Sequence, residues 1–244
     1  MKKPLYQRWW IWALLVLLVI AYIVTPDDTT TNIPAADSTP PFSINSSPAP
    51  TPKATPEPTP IPTIEFTAVL TNGNYTVGID IPAGKYDITA LSGSGSVRSS
   101  DLFAPNGIST TMGVGSEAYC EEYKNVELTE GIFLSVSGGV EISIYCDKAS
   151  GEPLKERIQP NTETISLGSG NFVAGEDFPA GIYDIVATSG SGTVSSDNWL
   201  DGGIWATMGV EESVIYEKEY KNIMLSEGVA LTIERVNIDL IPSK

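Results

Sequence analysis

Residues 74–88 read NYTVGIDIPAGKYDI, and residues 171–185 read NFVAGEDFPAGIYDI. The two stretches match in register, and a Tyr-Lys-Asn triplet recurs downstream of each, at 123–125 and 220–222. Such self-similarity means that the chain carries one module twice, and internal repetition sets the domain count before any other feature. Two copies are too few for a solenoid, which needs about three repeats to close its core. The sequence therefore predicts two small tandem modules.

Both copies alternate apolar and polar side chains. Tyr86, Ile88 and Ala90 are separated by polar residues in the first copy, and Tyr183 and Ile185 repeat the pattern in the second. Period-two alternation is typical of strands with one buried and one solvated face. Turn signals at intervals of about 8–12 residues are typical of antiparallel sandwiches or barrels. The predicted fold class is all-β, with two tandem antiparallel β-sandwich or barrel-like modules.

The motif Asp-x-Pro-Ala-Gly-x-Tyr occurs once in each copy. Proline presets φ at a turn, glycine adopts backbone conformations closed to other residues, and an aspartate beside the turn accepts backbone amides. A cation site at the two aspartates is the functional alternative, but the backbone requirements explain the motif without one. We predict structural turns that contain Asp80, Pro82, Gly84, Asp177, Pro179 and Gly181.

Residues 9–24 form an uncharged run of mostly large apolar side chains, preceded by Lys2, Lys3 and Arg8. With its flanking residues the run approaches the about 20 residues that cross a hydrocarbon core of about 30 Å. The positive-inside rule leaves residues 1–8 in the cytoplasm. The alternative is a cleaved signal peptide, but no small-x-small site ends the run. We predict an uncleaved transmembrane anchor at 9–24, in the cell membrane, with the rest of the chain extracellular.

Residues 25–63 are rich in Pro, Thr and Ser and show no apolar periodicity. Prolines remove amide donors and fix φ, so we predict a disordered spacer with polyproline II stretches rather than helix or sheet. A Pro-rich docking site is the alternative. The remaining boundaries are module 1 at 64–147, an inter-module linker at 148–163 and module 2 at 164–244. We expect each module to fold on its own.

The net charge of the chain restricts the classes of molecule that it can bind. Removing Lys2, Lys3 and Arg8 from the 14 basic residues leaves 11 against 30 acidic ones, a net charge of −19 beyond the anchor. A charge of this sign opposes binding to nucleic acid and to anionic lipid. We expect no nucleic-acid partner, and contact with the membrane only through residues 9–24.

The stretches at 77–95 and 123–136 resemble a β-rich repeat of secreted and membrane-anchored proteins of Gram-positive bacteria. The opening residues 2–12, KKPLYQRWWIW, are similar to the anchors of such proteins. The resemblance covers both modules and implies a cell-surface location and a β-rich architecture. It implies no activity, and no functional residues carry over from it.

Several catalytic and metal-binding patterns are missing from the sequence. It has no histidine, which removes Ser-His-Asp and Cys-His machinery and the commonest zinc ligand. Walker, HExxH and EF-hand motifs are also absent. Paired carboxylates for glycoside hydrolysis stay open, because spatial pairing is invisible in a sequence. We expect no cofactor, no metal site and no enzymatic activity.

Cys120 and Cys146 are the only cysteines, and both belong to the first copy. An even cysteine count outside the cell predicts a disulfide between them. The alternation of buried and exposed positions along the strands argues against this disulfide. It turns Cys120 outward, whereas Cys146 follows Ile142 and Ile144 on the buried face.

Trp205 is the candidate ligand-binding residue, because it aligns with Ser109 of the first copy and so does not occupy a shared core position. Trp199 aligns with Phe103, which predicts a core ring in both copies. The function expected is non-catalytic binding of wall glycan or of another envelope protein. A structural or sensory envelope component without an external ligand is the alternative, followed by a carboxylate-based hydrolase.

Overall fold

The computed structural model describes residues 62–101, 104–211, 213 and 215–244. These described residues form fourteen β-strands and no helix, which confirms the predicted all-β class. In this part of the chain no helix is long and apolar enough to span a membrane. The predicted anchor at 9–24 and nearly all of the predicted spacer lie outside the described residues. Both modules belong to one compact unit, Glu57–Lys244.

Module 1 contains eight strands in two layers. The strands are β1 (Thr63–Leu70), β2 (Gly73–Thr76), β3 (Gly84–Ser92), β4 (Ser94–Ser99), β5 (Ser109–Gly113), β6 (Glu122–Leu128), β7 (Phe133–Ser137) and β8 (Glu141–Ser150). One layer has the order β1-β8-β3-β6, and the other has β2-β7-β4-β5, with antiparallel pairing throughout. Side chains from both layers form one hydrophobic core, as the alternation requires.

Module 2 repeats this arrangement with fewer, longer strands. They are β9 (Ile165–Leu167), β10 (Gly170–Val173), β11 (Gly181–Ser196), β12 (Trp205–Gly209), β13 (Glu219–Leu225) and β14 (Ala230–Pro242). Strand β11 covers the positions of β3 and β4 together, and β14 those of β7 and β8. Register shifts after Ala187 and after Gly190 bend the β11–β14 pair, so that each of the two strands contributes residues to both layers. A second, separate hydrophobic core lies in this module.

The two Pro-Ala-Gly turns have the same hydrogen bonds. Asp80 Oδ2 accepts the Thr76 amide at 2.7 Å, and the Tyr86 hydroxyl donates to the Pro82 carbonyl at 2.7 Å. In module 2, Asp177 accepts the Val173 amide at 2.8 Å, and Tyr183 donates to the Pro179 carbonyl at 2.6 Å. Each motif therefore joins a turn to the buried ring that opens the following strand.

The reason predicted for the motif glycines is wrong. The positive φ angles fall on Gly78 and Gly175, at 89° and 90°, and not on Gly84 or Gly181. Gly84 is required by close packing, because a Cβ there would lie 2.7 Å from the Cys146 Sγ atom. The left-handed conformation of the turn is therefore carried by the glycine before the aspartate.

The repeated Tyr-Lys-Asn triplet forms a bulge. Asn125 and Asn222 have φ angles of 63° and 57°, a region that asparagine tolerates better than most residues. Asp87 Oδ1 accepts the Asn125 amide at 3.1 Å, and Asp184 Oδ1 accepts the Asn222 amide at 2.9 Å. The Tyr-Asp of one strand and the Tyr-Lys-Asn of its neighbour thus belong to one structural unit.

The predicted disulfide between Cys120 and Cys146 is not formed, and both are free cysteines. Cys146 lies on β8 and is buried in the core of module 1. Cys120 forms a bridge with Met112 of β5, in the other layer, and its thiol donates to the Glu122 carbonyl at 3.1 Å. The alternation of buried and exposed positions, which turned Cys120 outward, does not describe this residue, because Cys120 precedes β6 and is partly buried against the same core as Cys146.

The predicted start of the linker at 148 is wrong, because β8 continues to Ser150 and Ala149 belongs to the core of module 1. The residues after Ser150 are bonded to both modules. The Arg157 guanidinium is almost fully buried and contacts Asp80 Oδ1 at 2.5 Å. Lys155 pairs with Glu130 in module 1, and the Gln159 amide bonds the backbone of Ile182 in module 2. These contacts tie the linker to module 1 at the Asp80 turn and to module 2 at the start of β11.

Candidate ligand-binding cleft between the modules

The modules meet along two strands. Strand β2 of module 1 pairs in parallel with β13 of module 2, at Gly73 and Lys221, so that one layer continues from module to module. The Lys221 amide donates to the Asn72 carbonyl at 3.0 Å. A Cβ at Gly73 would lie 2.6 Å from the Lys221 carbonyl oxygen, so only glycine allows this approach.

Two buried asparagines join the modules further. Asn72 Nδ2 donates to Glu217 Oε2 at 2.7 Å, and its Oδ1 accepts the Gly139 amide at 3.1 Å. Asn74 Nδ2 donates to the Gly202 carbonyl at 2.8 Å, and its Oδ1 accepts from Ser135 at 2.7 Å. Buried polar groups with their partners in place favour one arrangement of the two modules over others.

Beside this junction the modules enclose an open cleft of about 240 Å³. Alternation along β4 and β7 explains its polar side, because the residues between the buried Val97, Leu134 and Val136 point outward. Module 2 supplies aromatic rings from the β11–β12 loop, from β12 and from β13. The main side chains are Asn74, Ser96, Arg98, Ser135 and Ser137 from module 1, and Trp199, Trp205 and Tyr220 from module 2.

Two tryptophans form the aromatic side of the cleft. Their ring centres are 5.6 Å apart and their planes are inclined by 77°, an edge-to-face pair. Trp205, the residue nominated from sequence, is 66% exposed. The prediction that Trp199 is a core ring is wrong, because it is 39% exposed and lies in the loop after β11. Phe103, on which that prediction rested, lies outside the described residues.

Among the residues that the structure describes, Arg98 is the only charged one that lines the main hollow. Its guanidinium carbon lies 5.9 Å from the centre of the Trp199 ring, which is within cation–π range. Arg98 pairs with Ser109 between β4 and β5, and the equivalent pair in module 2 is Ser195 with Trp205. The cationic residue thus comes from one copy and the exposed ring from the other.

Trp205 separates this cleft from a second hollow of about 290 Å³. Ser137, Trp205 and Tyr220 line both hollows, and Ile215 lines only the second. Burial raises the pKa of Tyr220 to about 12, so its side chain is a neutral hydroxyl at physiological pH. Glu217 also lines the second hollow. The two hollows adjoin at the exposed Trp205 indole, and together they are termed the groove.

No family model, curated protein or solved structure matches this chain. The chemistry of the groove must therefore be worked out from its own residues. The groove offers aromatic rings for apolar faces, hydroxyl and amide groups for hydrogen bonds, one guanidinium that can pair with an anion, and in the second hollow the Glu217 carboxylate. In the part of the chain that the structure describes, no three Cys, Asp or Glu side chains are grouped to hold a metal ion.

Sequence reasoning nominated Trp205 but missed Asn74, Arg98, Ser135 and Trp199. Their roles depend on the docking of one module against the other, which alternation within a strand does not reveal. The alignment of the copies did contain a signal for Arg98. Module 1 has Arg98 where module 2 has Ser195, just as module 2 has Trp205 where module 1 has Ser109. Differences of size and charge between otherwise similar copies mark positions that the shared fold leaves free.

Proposed function

We propose that this chain is a single-pass cell-surface protein whose two modules together bind a glycan without catalysis. The exposed pair of Trp199 and Trp205, in a cleft rich in hydroxyl and amide groups, carries the proposal. A sugar ring offers an apolar face for an indole and a rim of hydroxyls for side chains such as Ser135. Wall glycan is the ligand that fits a surface location.

The size of the groove favours a linear ligand. The main hollow, at about 240 Å³, is smaller than the about 300–1,000 Å³ of typical small-molecule sites. The second hollow adds a comparable space beyond Trp205. An extended chain of sugar units can occupy both hollows and contact both sides of the indole, whereas a single compact ligand fills only one of them.

Binding without hydrolysis is supported by the lining of the groove, because among the described residues no carboxylate lines the main hollow and only Glu217 lines the second. Glycoside hydrolysis uses a pair of carboxyl groups at the scissile bond. An envelope protein is the second candidate ligand. It is favoured by the apolar side chains of Leu200 and Ile215, which are 59% and 65% exposed near the tryptophans.

The proposal also includes presentation at the cell surface. Residues 9–24 anchor the chain in the membrane, and 25–63 hold the modules away from it, as their composition favours. Protease added to intact, wall-stripped cells is then expected to remove both modules and leave a small membrane fragment. Recovery of a soluble mature protein that begins after Val24 would contradict the anchor.

The glycan proposal is tested by sedimentation of residues 57–244 with purified peptidoglycan. Trp205→Ala removes the exposed ring and is expected to lower the bound fraction at least tenfold, since a Trp anchor contributes about 2 kcal/mol or more. The melting temperature is expected to change little, because Trp205 is mostly exposed. Leu200→Ala is the matched control, since Leu200 is exposed nearby but does not line the cleft.

Three outcomes of this experiment separate the candidates. Binding that Trp205→Ala abolishes and Leu200→Ala leaves intact supports a glycan in the cleft. Absence of sedimentation, together with capture of a defined envelope protein, favours the protein ligand, and absence of any ligand favours a purely structural role. Release of soluble sugar from the pellet would restore the hydrolase alternative.

A further inference from the structure

The cleft differs in charge from the rest of the protein. The whole chain has 30 acidic and 14 basic residues, yet among the described residues that line the main hollow one is charged, and that residue, Arg98, is cationic. None of the salt bridges among the described residues includes Arg98. In a protein with an excess of carboxylates, this guanidinium therefore has no anionic partner in the part of the chain that the structure describes.

Strand pairing and a nearby aromatic ring define the surroundings of Arg98. Strand β4 positions it between Ser109 on β5 and Ser135 on β7, and its side chain lies over the Trp199 ring. At 5.9 Å the guanidinium is within cation–π range of the ring, and its N–H donors lie in its own plane, where a planar acceptor can bind them. A carboxylate matches that fork with two parallel hydrogen bonds.

The module fold does not require this charge. Module 2 has Ser195 at the equivalent position of β11, and its layers have the same order and register there. The neighbouring equivalent pair, Ser109 and Trp205, likewise differs in chemistry between the copies. Both differences lie on the same cleft, so the docking of the modules brings a cation and an exposed ring to one site.

We propose that the saccharide bound in this cleft carries a carboxylate and that Arg98 pairs with it. The proposal rests on the proposed function, because it assumes a glycan in the cleft. It adds that the ligand is anionic although the protein is strongly acidic. Selectivity follows, since a neutral saccharide leaves the Arg98 guanidinium without an ionic partner when the cleft loses water.

The test compares two probes that differ only in charge. Peptidoglycan glycan strands freed of their peptides carry lactyl carboxylates, and amidation converts these to neutral groups of nearly equal shape. Residues 57–244 are expected to bind the acidic strands about tenfold or more tightly than the amidated ones by calorimetry. Arg98→Gln is expected to remove this preference, and Arg98→Lys to keep part of it.

A charge-matched control is Lys85→Gln, which removes a cation from the exposed side of β3, away from the cleft. It is expected to leave the preference unchanged. Equal binding of the two probes by the unchanged protein would overturn the carboxylate proposal and leave the glycan function standing. Absence of binding to both probes would instead remove the glycan function itself. A purely structural Arg98 would lower the melting temperature of Arg98→Gln without changing the ratio of the two affinities.

Discussion

Asn74→Asp tests the junction between the modules with the smallest possible change of shape. The Asn74 side chain is 5% exposed, and its Nδ2 atom donates to the Gly202 carbonyl at 2.8 Å. The substitution replaces that donor with an acceptor but retains the oxygen that accepts from Ser135. The Gly202 carbonyl then loses its partner from Asn74 and faces an oxygen atom instead.

The expected cost follows from these contacts. Leaving a buried acceptor unsatisfied costs about 1–3 kcal/mol, and burial of a charge adds to this. We expect the free energy of unfolding to fall by about 2–4 kcal/mol at pH 7, a large part of the about 5–15 kcal/mol of a typical domain. Burial raises the pKa of the introduced carboxyl above its unfolded value. The penalty should therefore shrink as the pH falls and the carboxyl takes up a proton.

Asn171→Asp is the internal control that the duplication provides. Asn171 is the equivalent residue in module 2 and accepts from Thr232 at 2.9 Å, as Asn74 does from Ser135, but it is exposed. Its substitution should change stability by no more than about 0.5 kcal/mol. Urea unfolding of residues 57–244, followed by circular dichroism at pH 7 and pH 4, measures both variants. Equal losses for the two substitutions would refute the buried junction.

Three further predictions concern other parts of the fold. Since burial raises the pKa of Tyr220 to about 12, stability should be lost as the pH rises from about 10 through 12, and Tyr220→Phe should make that fall shallower in urea titrations. A thiol reagent should label Cys120 in the native protein and Cys146 only on unfolding; mass spectrometry that shows a disulfide would contradict this. Residues 62–151 and 161–244, expressed separately, should each melt cooperatively because each contains its own core; a module that is unfolded alone would disprove it.

The strands of each module could be predicted because burial alternates along the chain. Tyr86, Ile88 and Ala90 are buried in module 1, as are Tyr183 and Ile185 in module 2. Alternation does not say which strand pairs with which, since pairing joins residues that are distant in sequence. The pairing of Gly73 with Lys221 and the fused strands β11 and β14 therefore appear only in the structure.

The errors at the site have a common cause. Trp199 was assigned to the core because it aligns with Phe103, which assumes that equivalent positions have equivalent surroundings. In module 2 the loop that carries Trp199 faces module 1 across the cleft. An alignment of the copies does not show which surface of one module lies against the other. The disulfide prediction failed in a similar way, because an even cysteine count says nothing about the layers to which Cys120 and Cys146 belong.

Tryptophan emission tests the central claim most directly. Residues 57–244 contain only two tryptophans, Trp199 and Trp205, and both line the cleft, so their emission reports on that site alone. Titration with peptide-free glycan strands should shift this emission and saturate at the affinity measured by calorimetry. Binding detected by calorimetry with unchanged emission would place the ligand elsewhere and contradict the cleft between the modules as the glycan site.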